Sequence, residues 1–325
     1  MTGDRINITD GWIARHTPKG AGSGGRDAAV IDIAQDLLLR ELHTRGALAA
    51  IVFKGGTALR KLYAGNNGRF SLDLDFSLVR ADDDPDVVVL ELVEHIDGIS
   101  IGPFTYGVSE RRGKWSLTVS SPFSSDDTAL SSKLDVSPPV WIDPVERGWV
   151  AMPVHVTYGL PALPKLPVIR IEENIAEKIS RLNRVTTARD MYDLAWLANH
   201  RREFGGLDTT LIRRLAVLKI WVDANGVSGG NTHWKPGHEP RDFIPQTWLH
   251  PRGANDFDLE DIGALAVPTP TTTELSTTVS NYYAFLADLD ADEIRLSAAL
   301  EKDRQLALRL LTELPGGRLN ALGLY

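Results

Sequence analysis

Cysteine is absent from the 325-residue chain, which removes a disulfide framework, a thiolate zinc site and a cysteine nucleophile at once. Any metal therefore has to sit on oxygen or imidazole ligands. The chain also lacks an apolar run of about 18 residues, and its opening, MTGDRINITDGW, lacks the basic-then-apolar order of a secretory signal. A soluble cytoplasmic protein with no membrane span is expected. Bulk positive charge is missing too: 35 Lys+Arg against 43 Asp+Glu leave a net charge of −8, so a nucleic-acid partner would need a local basic surface. There is no internal repeat. What remains, 43% hydrophobic and 24% charged, is an ordinary globular composition, long enough for two domains or one large one.

Residues 1–25 end in GAGSGG and are read as an arm, loose or ordered by packing. Val30, Ile33, Leu37, Leu38 and Leu42 recur at helical spacing and predict a helix over 26–45. Leu48–Phe53 reads as a short buried strand, ending at Gly55-Gly56, with a helix from Thr57 to Tyr63. After the turn-rich Gly65-Asn-Asn-Gly68, residues 71–79 alternate as a strand, with Leu72, Leu74, Phe76 and Leu78 on one face and Asp73, Asp75 and Ser77 on the other. A helix is expected over 86–96, strands near 101–109, 114–120, 129–137 and 152–157, and helices over 172–184, 187–200, 209–224 and 290–314. The first half is therefore mixed α/β and the second mostly α, with residues 225–258 too long for a simple connector.

Three pieces of the first half point to one chemistry. Lys54-Gly55-Gly56-Thr57 ends a strand and opens a helix, where glycines allow close backbone approach and amide groups suit a phosphate. Asp73 and Asp75 offer hard oxygen ligands about 7 Å apart along a strand, suited to divalent magnesium ions that bridge to phosphate oxygens. Asp135 lies in another alternating strand, where it could face that pair and complete a carboxylate trio. Three such groups repel one another unless cations neutralise them.

The run Lys54-Gly-Gly-Thr-Ala-Leu-Arg-Lys-Leu-Tyr63, followed by Arg69-Phe-Ser-Leu-Asp-Leu-Asp-Phe76, resembles the signature of AbiEii-type nucleotidyltransferases. These are toxin components of AbiE and MenAT toxin–antitoxin systems, within the DNA polymerase β-like superfamily. Glu177-Lys178 and Arg189-Asp190-Met-Tyr-Asp193-Leu match later elements of that family, so the resemblance covers roughly residues 50 to 200. It implies an α/β fold: a polymerase β-like nucleotidyltransferase domain with a mixed sheet over 26–168, after the arm at 1–25, and a mostly α-helical domain over 169–325 that contributes Lys178 and Asp193 to the site. It also implies roles. Asp73, Asp75 and Asp135 hold two Mg2+ ions, with Asp135 able to accept the proton of an attacking hydroxyl. Lys178 grips the triphosphate, Asp193 orients Lys178 or contacts the nucleotide, and Lys54, Gly55, Gly56, Thr57 and Ser71 line the nucleotide. Ser71 shares the face of Asp73, so its hydroxyl contacts the nucleotide, carries a phosphorylation that shuts the site, or simply bonds a neighbour.

The resemblance further implies a nucleoside triphosphate as donor, the 3′ end of tRNA as acceptor, arrested translation, and a cognate AbiEi-like antitoxin. Charge alone does not name the acceptor: residues 170–214 carry nine Lys/Arg against seven Asp/Glu, a weak positive balance that a solvated helix face explains equally well. Transfer to a protein hydroxyl or a small molecule, and a non-catalytic partner-binding module, stay open as alternatives. His233, His238, His250, Trp234 and Trp248 suit either a metal or base-stacking site or the packing of a long loop. Asp82-Asp83-Asp84 before Pro85 reads as a solvated turn and helix cap.

Overall fold

A computed structural model describes residues 6–19, 24–126, 128–159, 163–225, 234, 237–251 and 256–318. The chain divides into two compact units, the first comprising Met1–Pro139, Pro144–Val168 and Gly263–Pro268, and the second Val140–Asp143, Ile169–Ile262 and Thr269–Tyr325.

The first unit is built on one mixed eight-stranded sheet. Its strands are β1 (Ile51–Lys54), β2 (Leu74–Leu78), β3 (Ser100–Ile101), β4 (Phe104–Arg111), β5 (Lys114–Ser120), β6 (Leu130–Ser137), β7 (Val145–Arg147) and β8 (Leu166–Val168). They lie in the order β3-β4-β5-β6-β2-β1-β8-β7; β2 runs parallel to β6 and β1 to β8, and the remaining neighbours are antiparallel. The helices of this unit are α1 (Asp10–His16), α2 (Gly24–Thr44), α3 (Gly55–Leu59) and α4 (Pro85–Ile96). Helix α2 buries a broad face that includes Ile33, Leu37 and Leu38, and Tyr106 of β4 donates its hydroxyl to Ala34 O at 2.7 Å. Asp84 caps α4, accepting from Asp86 N at 2.9 Å with Pro85 in the first turn, while Asp82 pairs with exposed Arg80 at 2.7 Å.

Several segments depart from expectation, each for a local reason. The arm at 1–25 includes α1, pinned by buried Ile13 and His16, and α2 already starts at Gly24. Residues 152–157 form no strand: Pro153 opens a 3-10 turn over Pro153–Tyr158, in which Val154 and Tyr158 point inward and Val156 is 75% exposed. The strand expected from 71 begins only at Leu74, and Leu72 is 41% exposed rather than in the core. The helix expected from Thr57 to Tyr63 changes character midway, α3 giving way to a π-helical turn over Arg60–Ala64.

The second unit is helical: α5 (Ile171–Arg184), α6 (Ala188–His200), α7 (Thr209–Asn225), α8 (Thr272–Tyr282), α9 (Ala291–Ser297) and α10 (Arg304–Thr312). The single helix expected over 290–314 is broken, because Ala299 takes a φ of 52° and Leu300 turns 45% exposed between α9 and α10. Helix α8 has too polar a composition for apolar spacing to mark it, although Thr271 and Glu274 form a capping box at its start. The short Val140–Asp143 segment belongs here because the Glu173 carboxylate of α5 accepts from Trp141 N at 2.8 Å and Ile142 N at 3.2 Å. Lys219 of α7 neutralises Glu173 at 2.9 Å and lies 4.0 Å above the Trp141 ring. His233 lies outside the described residues, while Trp248 is buried.

Candidate active site

Sheet register assembles the first group of predicted residues. Lys54 on β1 is the direct partner of Asp75 on β2, which in turn is the direct partner of Asp135 on β6. Direct partners project from the same face of a sheet, and neighbouring strands lie about 4.8 Å apart, so an ammonium and two carboxylates stand in a row across three strands. All three are partly exposed, while Leu74, Phe76 and Leu134 are buried on the opposite face.

Asp73 sits one residue before β2. Its carboxylate accepts from Lys133 N at 3.1 Å and so replaces the ladder bond that a longer strand would make. The Lys133 ammonium lies 3.2 Å from Asp135 Oδ1, and Ser137 donates to Asp135 Oδ2 at 3.4 Å. Hard carboxylate oxygens are the donors a divalent magnesium ion takes, and β6 together with β2 and the residue before it supplies them. Among the described residues, no three His, Asp or Glu groups already converge into a metal cluster. Two of the expected trio, Asp73 and Asp135, are thus drawn onto Lys133, while Asp75 is the register partner of Asp135; the donor chemistry is right and, among the described residues, no closed cage forms.

The glycine turn is shaped by what lies against it. Gly55 has a φ of +76°, and a Cβ there would meet the Asp75 carboxylate, whose Cγ lies 3.1 Å from that point. A Cβ on Gly56 would meet the Arg69 guanidinium and Ser71 Oγ, the latter at 2.9 Å. The two glycines let an acid, a guanidinium and a hydroxyl touch the backbone. Ser71 itself is buried. Thr57, read from sequence as a nucleotide contact, is fully buried instead, and its hydroxyl donates to the carbonyls of Asp73 and, at 3.3 Å, Ser71. It braces the segment that carries Ser71 and Asp73.

In the second unit the turn between α5 and α6 brings Lys178 and Asp193 together. Lys178, only 4% exposed, donates to Asp193 Oδ2 at 2.7 Å and to Asp190 Oδ1 at 3.2 Å. Asp190 was quoted in the sequence motif without a role. It also receives Arg181 at 3.2 Å and the Thr187 hydroxyl at 2.9 Å. Burial pushes its carboxyl up, but Arg181, Lys178, Thr187 and Arg189 outweigh burial and hold it well below the usual carboxylate range. Of the nearby arginines, Arg184 pairs with Asp223 at 3.4 Å and Arg189 with Asp261 at 3.9 Å.

A mixed sheet with acids at the edge of a glycine turn, together with a helical unit holding a buried lysine, defines a nucleotidyltransferase fold. Residues 36–274 match the family model described as nucleotidyl transferase AbiEii toxin, type IV toxin–antitoxin system, and the chain belongs to that family. It resembles MenT4, a nucleotidyltransferase toxin from Mycobacterium tuberculosis H37Rv, with 36% identity and a TM-score of 0.79 over 94% of this chain and 99% of that one. JHP933 from Helicobacter pylori is more distant, with 18% identity and a TM-score of 0.39 over 81% of this chain and 94% of that one. No curated protein matches the chain.

Proposed function

We propose that this AbiEii-family toxin transfers a nucleotide from a nucleoside triphosphate to the 3′ end of tRNA, which blocks aminoacylation and stops translation until a cognate AbiEi-like antitoxin counters it. The observation that carries the reading is the register row of Lys54, Asp75 and Asp135 beside the Gly55-Gly56 turn. Asp73, Asp75 and Asp135 are the residues that would hold Mg2+, which when bound neutralises phosphate charge and lowers the barrier to transfer. Asp135, the register partner of Asp75, accepts the proton of the incoming hydroxyl in this reading. Lys54 and the amides of Gly55 and Gly56 receive phosphate oxygens, with the Ser71 hydroxyl against Gly56.

Lys178 is assigned to the triphosphate, and its support is chemical: an ammonium fixed by two aspartates loses little conformational freedom when it meets an anion. Asp193 and Asp190 are its positioning residues. The protein acts in the cytoplasm, in keeping with the absence, among the described residues, of a helix long and apolar enough to cross a membrane.

Incubation with magnesium and each labelled nucleoside triphosphate, offering total tRNA beside total protein, tests the reading. Label in tRNA is expected. Label in protein or a small acceptor would replace the acceptor, and neither transfer nor hydrolysis would leave a partner-binding module.

A further inference from the structure

Helix α2 carries two aspartates, Asp32 and Asp36, on the face that the fold seals most completely. Opposite them stand Arg60 and Lys61, consecutive residues of the π-helical turn, 1% and 0% exposed. Hydrogen bonding from i to i+5 narrows the angle between successive side chains, which lets both cations face one helix.

Arg60 uses four of its donor hydrogens at once. Nε and Nη2 reach the two oxygens of Asp32 at 2.9 and 3.1 Å, and Nη1 reaches Gly65 O at 3.1 Å and Gly68 O at 2.8 Å. Its guanidinium also lies 3.6 Å from the centre of the Phe70 ring. Lys61 donates to Asp32 O at 2.8 Å, Asp32 Oδ1 at 3.0 Å and Asp36 Oδ1 at 2.8 Å. His16 joins Asp32 at 2.7 Å, and Tyr158 donates to Asp36 at 2.6 Å. Burial pushes the Asp32 carboxyl up, yet Arg60, Lys61 and His16 outweigh it and hold the group well below its ordinary range.

The contacts of Arg60 share one target. Gly65 and Gly68 bound the loop between the glycine turn and β2, and Phe70 follows it, its N–H donating to Ala264 O at 2.9 Å. Arg69 and Ser71 flank Phe70, and both lie against Gly56. With Phe70 held inward on the guanidinium, its two neighbours are turned toward the glycine turn.

We infer that Arg60 is a positioning residue for the nucleotide site, tying the 65–70 loop to α2 so that Arg69 and Ser71 are set against Gly56. An ion pair with Asp32 alone would satisfy the charge; the two loop carbonyls and the ring are what a merely stabilising pair would not need. The inference deepens the proposed nucleotidyl transfer and rests on it for its kinetic readout.

Arg60→Lys tests it, since lysine keeps the charge toward Asp32 but has no planar fork to span the carbonyls and the ring. Phe70→Leu serves as a second variant that leaves every charge in place. Both are compared with the unaltered protein for thermal midpoint, amide exchange, and KM and kcat for the nucleoside triphosphate, well below the melting temperature. Expected is faster exchange at residues 69–73 with α2 unchanged, and a loss in kcat/KM of up to about a hundredfold, carried chiefly by KM. Unchanged exchange at 69–73 and unchanged kcat/KM in a folded variant would reduce the network to stability alone and overturn the inference. If the unaltered protein transfers no nucleotide, the proposed function fails, and the exchange data still decide the role of Arg60.

Discussion

Two groups of charges in the first unit are built on opposite terms. Asp32, Asp36, Arg60 and Lys61 are sealed in the interior, two acids against two bases, bonded to one another and to His16, Tyr158 and the carbonyls of Gly65 and Gly68. Asp73, Asp75 and Asp135 sit on or beside the two central strands of the sheet, partly exposed, with acids of like sign on adjacent strands and Lys133 drawn between two of them. A paired, buried ion group adds little net stability over apolar packing but is costly to break, so its value lies in holding a geometry. A partly exposed row of carboxylates resists assembly on its own and gains from any cation that arrives. Charge in one place serves shape, and in the other it is proposed to serve chemistry.

The sharpest way to break this contrast is to remove one member of each. Asp32→Ala leaves Arg60 and Lys61 short of their buried partner and should cost about 3–5 kcal/mol of stability, read by denaturant unfolding. A loss below about 1 kcal/mol would mean that the interior group is not sealed. Asp75→Asn should do the reverse: transfer falls by roughly two to three orders of magnitude, the scale of several kcal/mol of metal stabilisation, while the thermal midpoint stays or rises. Retained activity in that variant would remove Asp75 from the metal site.

Lys178 belongs to both kinds, being buried like the interior group and proposed to meet substrate like the carboxylate row. Lys178→Met should raise KM for the nucleoside triphosphate about ten- to hundredfold, the loss of one or two charge-assisted bonds, and also lower the melting temperature because Asp190 and Asp193 lose a partner. A stability loss with unchanged KM would place Lys178 in the structural class only.

The smallest effect is read against pH. The carboxyls of Asp32, Asp36 and Asp190 are held below their ordinary values, despite burial, by Arg60 and Lys61, by Lys61 and His155, and by Arg181 and Lys178 respectively. Their folded values lie below the unfolded value of about 3.9, so their stabilisation is complete at neutral pH and lost as pH falls from about 4 through those lower values. Circular dichroism on acidification should show stability declining in that window, and less steeply in Asp190→Asn. A flat profile between about pH 5 and pH 2 would contradict the assignment.

Much of this was legible beforehand where the signal is local. The helices over 172–184, 187–200 and 209–224 follow from apolar spacing, and the observed elements differ from them by a residue at an end. The family could be recognised from Lys54-Gly-Gly-Thr and Asp73-Leu-Asp because turn and ligand chemistry demand those residue types at short range. Thr57 and Asp190 were harder to place. A threonine after two glycines looks the same whether its hydroxyl faces a ligand or the backbone of Ser71 and Asp73. The one signal for the interior group was a pair of aspartates four residues apart within an otherwise apolar helix face, which nothing nearby in sequence explained.

By itself the sequence determined the periods of the elements, the turn chemistry and the oxygen-donor inventory, since each depends on residues a few positions apart. Only the tertiary structure decided that Arg60-Lys61, in isolation a surface-like pair, is among the most buried parts of the chain, and that Lys54, Asp75 and Asp135 stand in one row. Burial and strand register are set by partners tens of residues away, and a charge acquires its role from the dielectric and the neighbours it folds into.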